Sequence, residues 1–279
     1  MESVAFYGAG MLGSGMIRAM LERGTKVRVW NRSPQRAQAL EAYGAQAFTD
    51  PAEAAQGASR IHLCLRDDAS VDAVLDASLP SIPKESPIVD HTTVLPQAVV
   101  ERERRLREAG HAFVHAPVFM GPPTALAATG VMLVSGNPAL VERVRPALEA
   151  MCSELRYLGE RPDAAAIYKL MGNAMIFAVV GGINDMLRIG EMQGLSRAEA
   201  YELFGFYDPT GQIGGRGKRM VSGEYDPVWT LDMAHKDATL MQGAAHHERL
   251  PVIDAFEALL KTASARGLGD RDLAAVAQR

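Results

Sequence analysis

Residues 4–16 read V-A-F-Y-G-A-G-M-L-G-S-G-M and place Gly8, Gly10 and Gly13 directly after a short apolar run. The run predicts a strand, and the amphipathic residues 14–23 predict a helix. In that setting the first glycine permits a tight turn. The second lets the backbone approach a pyrophosphate, and the third lets helix and strand pack closely. Free amides at the helix N-terminus attract phosphate. A glycine-rich turn can also merely connect two elements, but the flanking strand and helix favour dinucleotide binding. The residues expected to contact the dinucleotide are Gly8, Ala9, Gly10, Met11, Leu12 and Gly13.

The end of the second predicted strand, residues 26–30, bears on the choice of cofactor. A carboxylate there would bind the ribose 2′-hydroxyl of NAD, but this chain has Asn31 followed by Arg32. A guanidinium suits a 2′-phosphate, and the hydroxyl of Ser33 could add a hydrogen bond. The simpler alternative is an exposed arginine beside a helix that Ser33 caps. The sequence favours NADP, bound as NADPH, and we expect Asn31, Arg32 and Ser33 to contact it.

Strand-like runs alternate with helical patterns up to residue 158. Strands are predicted at 60–65, 87–90, 112–118, 131–135 and 155–158, and helices at 35–43, 71–78, 96–108 and 138–151. This alternation predicts an α/β Rossmann domain with a doubly wound, mostly parallel sheet. Ligands of such sheets bind beyond the carboxyl ends of the strands. The loops at Leu65 and Thr92 are therefore expected to face the same cleft as Gly8, with Leu65 at the cofactor.

Beyond residue 159 the pattern becomes helical. A long helix over 164–193 is followed by helices starting near 196, 231 and 252, and the glycine-rich residues 211–217 are predicted to form a turn. We therefore predict an NADP-binding Rossmann domain at 1–160 and an all-α C-terminal domain at 161–279 that begins with a long interdomain helix. That helix is apolar on most sides, a pattern typical of helices buried in a protein or at a subunit interface. We expect a homodimer formed through the helical domain.

Composition excludes several function classes. The net charge of −4 gives no support for nucleic-acid binding, and Arg102, Arg104, Arg105 and Arg107 alternate with glutamates as on a solvated helix face. No leader is visible before residue 3, and the longest uninterrupted apolar stretch, 174–183, is too short to cross a bilayer. Cys64 and Cys152 are expected to be free thiols. The histidines show no metal-ligand spacing. We expect a cytoplasmic protein that binds no metal, membrane or nucleic acid.

Two lysines need an explanation. Lys169 and Asn173 stand four residues apart on the long predicted helix and share one face. Burying an ammonium costs free energy, so a lysine in this apolar helix needs a reason. Lys169 either extends its stem to a domain surface or acts as an acid/base that the Asn173 side chain orients. The spacing of the two residues favours neither alternative. Lys236 and Asp237 are neighbours, and adjacent residues on a helix do not face each other. A surface lysine, not neutralised by Asp237, is the simplest interpretation of Lys236.

The motifs taken together resemble the β-hydroxyacid dehydrogenase family. That family includes 3-hydroxyisobutyrate dehydrogenase and the glyoxylate/succinic semialdehyde reductases, and it is related to 6-phosphogluconate dehydrogenase. The resemblance rests on the glycine motif at 8–16, D-H-T-T-V-L-P at 90–96, F-V-H-A-P-V at 113–118, K-L-M-G-N at 169–173 and H-K-D-A-T-L at 235–240. It implies that Lys169 is catalytic and that Asn173 orients the substrate. It also implies a dimer, and contacts from Thr93 and Lys236 to the nicotinamide half of the cofactor.

One motif departs from the family pattern D-A-P-V-S-G-G. Phe119 and Met120 replace the serine and first glycine that help to hold a substrate carboxylate, and Pro122 and Pro123 lack amide hydrogens. The expected substrate contacts are Thr92, Phe119, Met120 and Gly121. We predict a less acidic or bulkier substrate, unless Arg216 or Lys218 supplies the missing anion contacts.

The predicted function is an NADP-dependent oxidoreductase that transfers hydride between nicotinamide and a small carbonyl or hydroxy substrate. Two alternatives stay open. One is an imine reductase on the same architecture, although imine reductases usually lack a lysine at the position of Lys169. The other is a non-catalytic NADP-binding module, which would not require Lys169 and Asn173 together.

Overall fold

The computed structural model describes residues 3–278. Contacts divide the chain into two compact units, Met1–Asn173 and Ala174–Arg279. The division falls inside one continuous helix, Ala164–Met192. The long helix predicted to open the second domain is therefore shared between the two units.

The first unit is built on a parallel sheet of six strands in the order β3-β2-β1-β4-β5-β6. Its strands are β1 (Ser3–Tyr7), β2 (Lys26–Trp30), β3 (Gln46–Phe48), β4 (Arg60–Leu63), β5 (Ile88–Asp90) and β6 (Phe113–His115). Tyr7 is in register with both Trp30 and Leu63, so β1, β2 and β4 end at the same edge. Loops that follow these strands consequently converge at that edge. Strand β3 was not predicted, because three residues are too few to show an alternating pattern.

Among its described residues, the first unit has seven α-helices before the long one. They are α1 (Met11–Glu22), α2 (Pro34–Gln38), α3 (Pro51–Ala55), α4 (Asp68–Ser78), α5 (Pro96–Glu108), α6 (Pro122–Ala127) and α7 (Pro138–Glu149). Strand β1 shows that both faces of the sheet are covered. Its Val4 and Phe6 belong to one buried apolar cluster, whereas Ala5 and Tyr7 belong to another. Side chains alternate across a strand, so the two clusters lie on opposite faces, and the doubly wound architecture is confirmed.

A second sheet of three strands carries the segment where the sequence departs from its family. It consists of β7 (Val118–Phe119), β8 (Val131–Val134) and β9 (Glu154–Tyr157), with β7 antiparallel to β8 and β8 parallel to β9. The prediction of one strand over 112–118 was wrong. The chain leaves the large sheet after His115 and enters the small one at Val118, and between them Pro117 has no amide hydrogen to donate.

Arg102 contradicts the expectation of a fully solvated face on α5. Its side chain is only 1% exposed and donates to the carboxylates of Asp68 and Asp72 on α4. Its guanidinium also lies 3.8 Å from Asp90 at the end of β5. Arg104 and Arg107 are solvated and pair with glutamates, as predicted. Arg105 also pairs with aspartates of α4, Asp72 and Asp76. The alternating charges therefore predicted the environment of Arg104 and Arg107, but not the two arginines that tie α5 to α4.

The second unit contains helices and a single isolated β-bridge among its described residues. The part of α8 (Ala164–Met192) that belongs to it is followed by α9 (Arg197–Tyr201), α10 (Lys218–Ser222), α11 (Leu231–Ala244) and α12 (Pro251–Ala263). The side chains of Ser196 and Glu199 form a capping box at the start of α9, the helix predicted to begin near residue 196. The glycine-rich stretch does not form the predicted turn, because Ile213–Gly217 is a π-helical segment that continues into α10.

The apolar surface of α8 is mostly uncovered within the chain. Met175, Ile176, Phe177, Val179 and Val180, here called the α8 apolar face, are all at least half exposed. Within residues 3–278, α8 is also the one helix with the length and composition to cross a membrane, with a mean hydropathy of 1.5 and 6% of its most apolar window buried. Of the two expectations for α8, burial inside its own chain is therefore wrong for this face. Burial at a subunit interface stays a prediction.

Candidate active site

The three glycines between β1 and α1 differ in their surroundings. Residues 8–13 are called the glycine turn below. Gly8 has a φ of +110°, and a side chain there would meet the carbonyl oxygen of Cys64 at 2.1 Å. A Cβ on Gly13 would lie 2.0 Å from the carbonyl oxygen of Gly8. Around Gly10, by contrast, a Cβ would meet nothing within 4 Å among the described residues. The first and third glycines thus let turn and helix pack, whereas the second faces open space.

That open space is part of a cavity of about 1030 Å³, called the dinucleotide cavity below. Nine of the residues predicted to hold a cofactor line it: Gly8, Gly10, Met11, Leu12, Gly13, Asn31, Arg32, Ser33 and Leu65. Helix α1 has no side-chain cap, so the amides of its first turn are free to bind a phosphate. The thiol of Cys64 also lies in the lining, and burial raises its pKa to about 12, so it stays protonated. A nicotinamide dinucleotide fits this lining of bare backbone, helix N-terminus and arginine side chains.

Asn31 binds the backbone of its own chain, whereas a carboxylate at this position would bind the ribose of NAD. Its Oδ1 accepts a hydrogen bond from the amide of Ala9 at 3.0 Å, and its Nδ2 donates to the carbonyl of Ser33 at 2.9 Å. The side chain therefore joins the glycine turn to the start of α2. Ala9 itself is buried and lies outside the cavity lining. Its contact with Asn31 makes it a support of the turn.

Two arginines lie where a 2′-phosphate would be recognised. Arg32 and Arg36 both line the dinucleotide cavity, and neither side chain has a hydrogen-bond or ion-pair partner within residues 3–278. Ser33 stands at the N-cap position of α2 but makes no capping hydrogen bond with its side chain. Its hydroxyl is therefore free for a ligand. Arg36 was missed from the sequence, although its position four residues after Arg32 at the start of a predicted helix was a usable signal.

Thr92 supports the loop at Leu65. Its hydroxyl accepts a hydrogen bond from the Leu65 amide at 3.0 Å, and its own amide donates to Asp90 at 2.9 Å. Thr92 is 1% exposed, whereas its neighbour Thr93 is exposed. Burial raises the pKa of Asp90 to about 6, against the opposite effects of its hydrogen bonds with Thr92 and of the Arg102 charge. Substrate contact by Thr92 and nicotinamide contact by Thr93 stay predictions.

A buried row of hydrogen bonds, called the histidine chain below, links the ends of β4, β5 and β6. Arg60 donates to Nε2 of His62 at 2.7 Å, Nδ1 of His62 lies 2.9 Å from Nε2 of His91, and Nδ1 of His91 lies 2.7 Å from the carbonyl oxygen of Ala116. Arginine only donates, so His62 carries its proton on Nδ1 and donates to His91. His91 then donates to Ala116. Burial lowers the pKa of both histidines, which keeps them neutral.

Lys169 lies on α8 against the ring of Phe119. Its Nζ is 4.2 Å from the ring centroid, and the residue is 9% exposed. Within the described chain, Nζ has no hydrogen-bond or ion-pair partner. Burial lowers its pKa, which brings the ammonium closer to giving up a proton near neutral pH. The structure thus places the predicted catalytic lysine beside a predicted substrate residue.

The remaining predicted residues are placed as follows. Asn173 is half-buried one turn after Lys169, Met120 is half-buried and Gly121 is exposed. Lys236 lies on α11 in the second unit, and its Nζ is 2.8 Å from Oδ1 of Asp237. The prediction that Asp237 would not neutralise it was wrong, because the long lysine stem bends around to its neighbour. Arg216 is engaged inside the second unit by the Trp229 ring and by Asp272. In residues 3–278 no group of three or more potential ligand side chains could hold a metal ion.

Comparison with known proteins places the chain in a family. Residues 3–159 match the NAD binding domain of 6-phosphogluconate dehydrogenase. Glyoxylate/succinic semialdehyde reductase 1 from Arabidopsis thaliana is 28% identical over 279 residues, which cover 98% of this chain and 96% of that protein. The 3-sulfolactaldehyde reductase of Escherichia coli is 26% identical over 291 residues, covering 100% and 96%. An imine reductase from Pseudomonas sp. shares the fold, with a TM-score of 0.91 at 23% identity and coverage of 100% and 99%. The matched domain spans more than half of the chain, which therefore belongs to the family of proteins that carry the NAD-binding domain of 6-phosphogluconate dehydrogenase.

Proposed function

We propose that this protein is an NADPH-dependent reductase of carbonyl compounds in which Lys169 is the proton donor. The coarser assignment, a nicotinamide-dependent oxidoreductase of hydroxyl and aldehyde groups, agrees with its family and with the names of its relatives. The single observation that carries the proposal is the state of Lys169: buried, lowered in pKa and without a polar partner among the described residues.

Lys169 suits proton donation for an electrostatic reason. NADPH, when bound, supplies hydride to a carbonyl carbon, and the carbonyl oxygen then needs a proton. An ammonium whose pKa burial has lowered gives up that proton more readily than an ordinary lysine does. Asn173 shares the face of Lys169 on α8 and offers an amide to orient the same oxygen. A structural lysine would gain nothing from this arrangement, since burial without a polar partner costs free energy.

The preference for NADP rests on charge. Arg32 and Arg36 present two unpaired guanidinium groups to the dinucleotide cavity, and the Ser33 hydroxyl is uncommitted. A 2′-phosphate would neutralise both arginines, whereas the ribose hydroxyls of NAD would leave them unpaired. A carboxylate at position 31 would repel that phosphate, whereas Asn31 uses its side-chain oxygen to hold the amide of Ala9.

The substrate we propose is a hydrophobic or aromatic carbonyl compound, not a small acid. Phe119 places its ring directly beside Lys169, whereas Met120, the next residue, packs against the apolar core of the first unit. An anion entering this place would lose hydration without recovering equivalent hydrogen bonds. An apolar substrate would gain about 25 cal/mol for each Å² of surface that it buries.

We also propose that the protein is a cytoplasmic homodimer. The α8 apolar face needs a cover, and a second copy of the chain provides one by burying the same residues from both sides. Both cysteines are free, as expected in a reducing compartment.

The test is NADPH oxidation with a panel of aldehydes, ketones and imines, using wild type, Lys169→Ala and Lys169→Arg. We expect carbonyl turnover in wild type and a loss of at least about 10²-fold in kcat in Lys169→Ala, with NADPH affinity retained. Lys26→Ala, at an exposed lysine, is the matched control. Full turnover in Lys169→Ala, or turnover of imines alone, would refute the proposal in favour of imine reduction. NADPH binding without turnover in wild type would indicate a non-catalytic module.

A further inference from the structure

The ring of Phe119 lies on α8 between Lys169 and Gly172. One contact is the cation–π geometry with Nζ of Lys169, at 4.2 Å from the ring centroid. The other is with Gly172, where a Cβ would fall 2.3 Å from Cζ and 2.5 Å from Cε1 of the ring. These separations are far below any real carbon contact. The ring therefore occupies the place that a side chain at position 172 would need.

Glycine at position 172 needs a reason of its own. It lies inside a helix of 29 residues, where glycine is among the least favourable residues. Its φ is not positive, so the backbone conformation would accept any residue. What demands glycine at this position is the space taken by Phe119.

The backbone of Phe119 is fixed from the opposite side. Phe119 pairs with Val131 across β7 and β8. At Gly130, next to Val131, a Cβ would lie 2.2 Å from Cγ of Met120 and 2.9 Å from the carbonyl oxygen of Phe119. One glycine thus lets the β7 backbone approach β8, and another lets the ring approach α8. Phe119 is held between the two.

We propose that Phe119 is a positioning residue for Lys169, and that Gly172 sets the place of its ring. The lysine has four rotatable bonds, and no polar group among residues 3–278 fixes its ammonium. The aromatic face is then the group that holds Nζ in one position and stabilises its charged form. This inference rests on the proposed function for the role of Lys169, but the contact itself can be tested without turnover.

The kinetic arm compares four variants. We expect Phe119→Leu and Gly172→Ala each to lower kcat about two- to thirty-fold, the range expected for loss of a cation–π contact. Phe119→Tyr keeps an aromatic face and should lower kcat less than Phe119→Leu does. Gly243→Ala is the matched control, because Gly243 lies in helix α11 with nothing within 4 Å of its Cβ position among the described residues. In Phe119→Leu and in Gly172→Ala, the alkaline limb of the pH profile of kcat should move to lower pH.

The double variant Phe119→Leu/Gly172→Ala distinguishes this inference from general damage to the helix. If Gly172 acts through the ring, adding Gly172→Ala to Phe119→Leu should lower kcat no further. Additive losses would overturn the role assigned to Gly172.

The second arm needs no activity. Trace acetylation with acetic anhydride near pH 8, read by mass spectrometry, reports the fraction of free amine and the access to Lys169 relative to exposed Lys26. Lys169 should label faster in Phe119→Leu and in Gly172→Ala than in wild type, Phe119→Tyr or Gly243→Ala. Unchanged labelling in the first two variants would overturn the inference. Since this readout requires no turnover, a failed carbonyl screen would refute the proposed function and leave this result intact.

Discussion

At the scale of single residues, the arginines proposed to recognise the cofactor have no other partner among the described residues. Arg32 and Arg36 line the dinucleotide cavity with unpaired guanidinium groups, whereas Asn31 is committed to the backbone on both sides of it. We therefore expect affinity for a 2′-phosphate and stability of the glycine turn to depend on different side chains. Each can be changed without the other.

Arg32→Ala should weaken NADPH binding by about 1.5–3 kcal/mol, the worth of a hydrogen bond to a charged group. NADH binding should barely change, because NADH has no 2′-phosphate. Isothermal titration with both cofactors measures the difference, with Arg104→Ala as a control at an exposed arginine of α5. Equal losses for NADPH and NADH would show that Arg32 supports the fold of its loop instead.

Phe119→Ser should move the substrate preference toward small acids. The serine hydroxyl restores a hydrogen-bond donor, and loss of the ring removes apolar surface beside Lys169. We expect the ratio of kcat/KM for an aromatic aldehyde to that for glyoxylate to fall, even though both absolute values decrease with the loss of the ring. A wild-type enzyme that already prefers a small carboxylated aldehyde would contradict the premise.

At the scale of secondary-structure elements, local patterns predicted more than tertiary contacts did. The glycine spacing predicted β1, the turn and α1, because Gly8 needs a positive φ and Gly13 packs against the carbonyl of Gly8, and both demands lie within the motif. Helix α5 was predicted at its observed bounds, Pro96–Glu108, from a proline start and a 3.6-residue repeat. The burial of Arg102 was not predictable, because its partners lie on α4, about thirty residues earlier. The same holds for Gly172, whose reason lies in β7.

The histidine chain should make the fold sensitive to acid. Burial lowers the pKa of His62, and it lowers the pKa of His91 and of nearby His115 to about 4. An unfolded chain titrates its histidines near pH 6.5, so between about pH 6.5 and 4 the unfolded state binds protons that the folded state refuses. The contribution of these histidines to the free energy of unfolding is therefore fully present above pH 6.5 and is lost as the pH falls. Asp90 acts in the opposite direction, since its pKa is raised to about 6 and the folded state takes up its proton first.

Three histidines against one aspartate leave a net loss of roughly 2–3 kcal/mol of unfolding free energy per pH unit near pH 5. Urea unfolding at a series of pH values from about 7.5 to 4.5 measures this slope. Asp90→Asn removes the opposing titration and should steepen it, while its amide oxygen can still accept from Thr92. A flat profile over this range would mean that the histidines are accessible to protons in the folded state.

At the scale of the whole molecule, we expect the α8 apolar face to be the surface through which the chain associates with a second copy. Wild type should sediment at about twice the chain mass of 30.0 kDa. Phe177→Glu, at a residue that is 76% exposed, should give a monomer, because a charge cannot be buried against the apolar face of a second copy. Val100→Glu, at an exposed apolar residue of α5, is the control and should leave the dimer intact. A monomeric wild type that binds to phospholipid vesicles through this face would refute the dimer.

The hydrogen bonds of the histidine chain all run in one direction, from the guanidinium of Arg60 to the carbonyl of Ala116. This order limits which substitutions the chain can tolerate at these positions. Leucine at position 62 would remove the acceptor of the Arg60 Nε–H and the donor to His91, and leucine at position 91 would remove the acceptor of His62 and the donor to the Ala116 carbonyl. Replacing both rings leaves no imidazole unpaired, but it still removes the acceptor of the Arg60 Nε–H and the donor to the Ala116 carbonyl. Among related chains, Arg60, His62 and His91 should therefore be inherited or lost together.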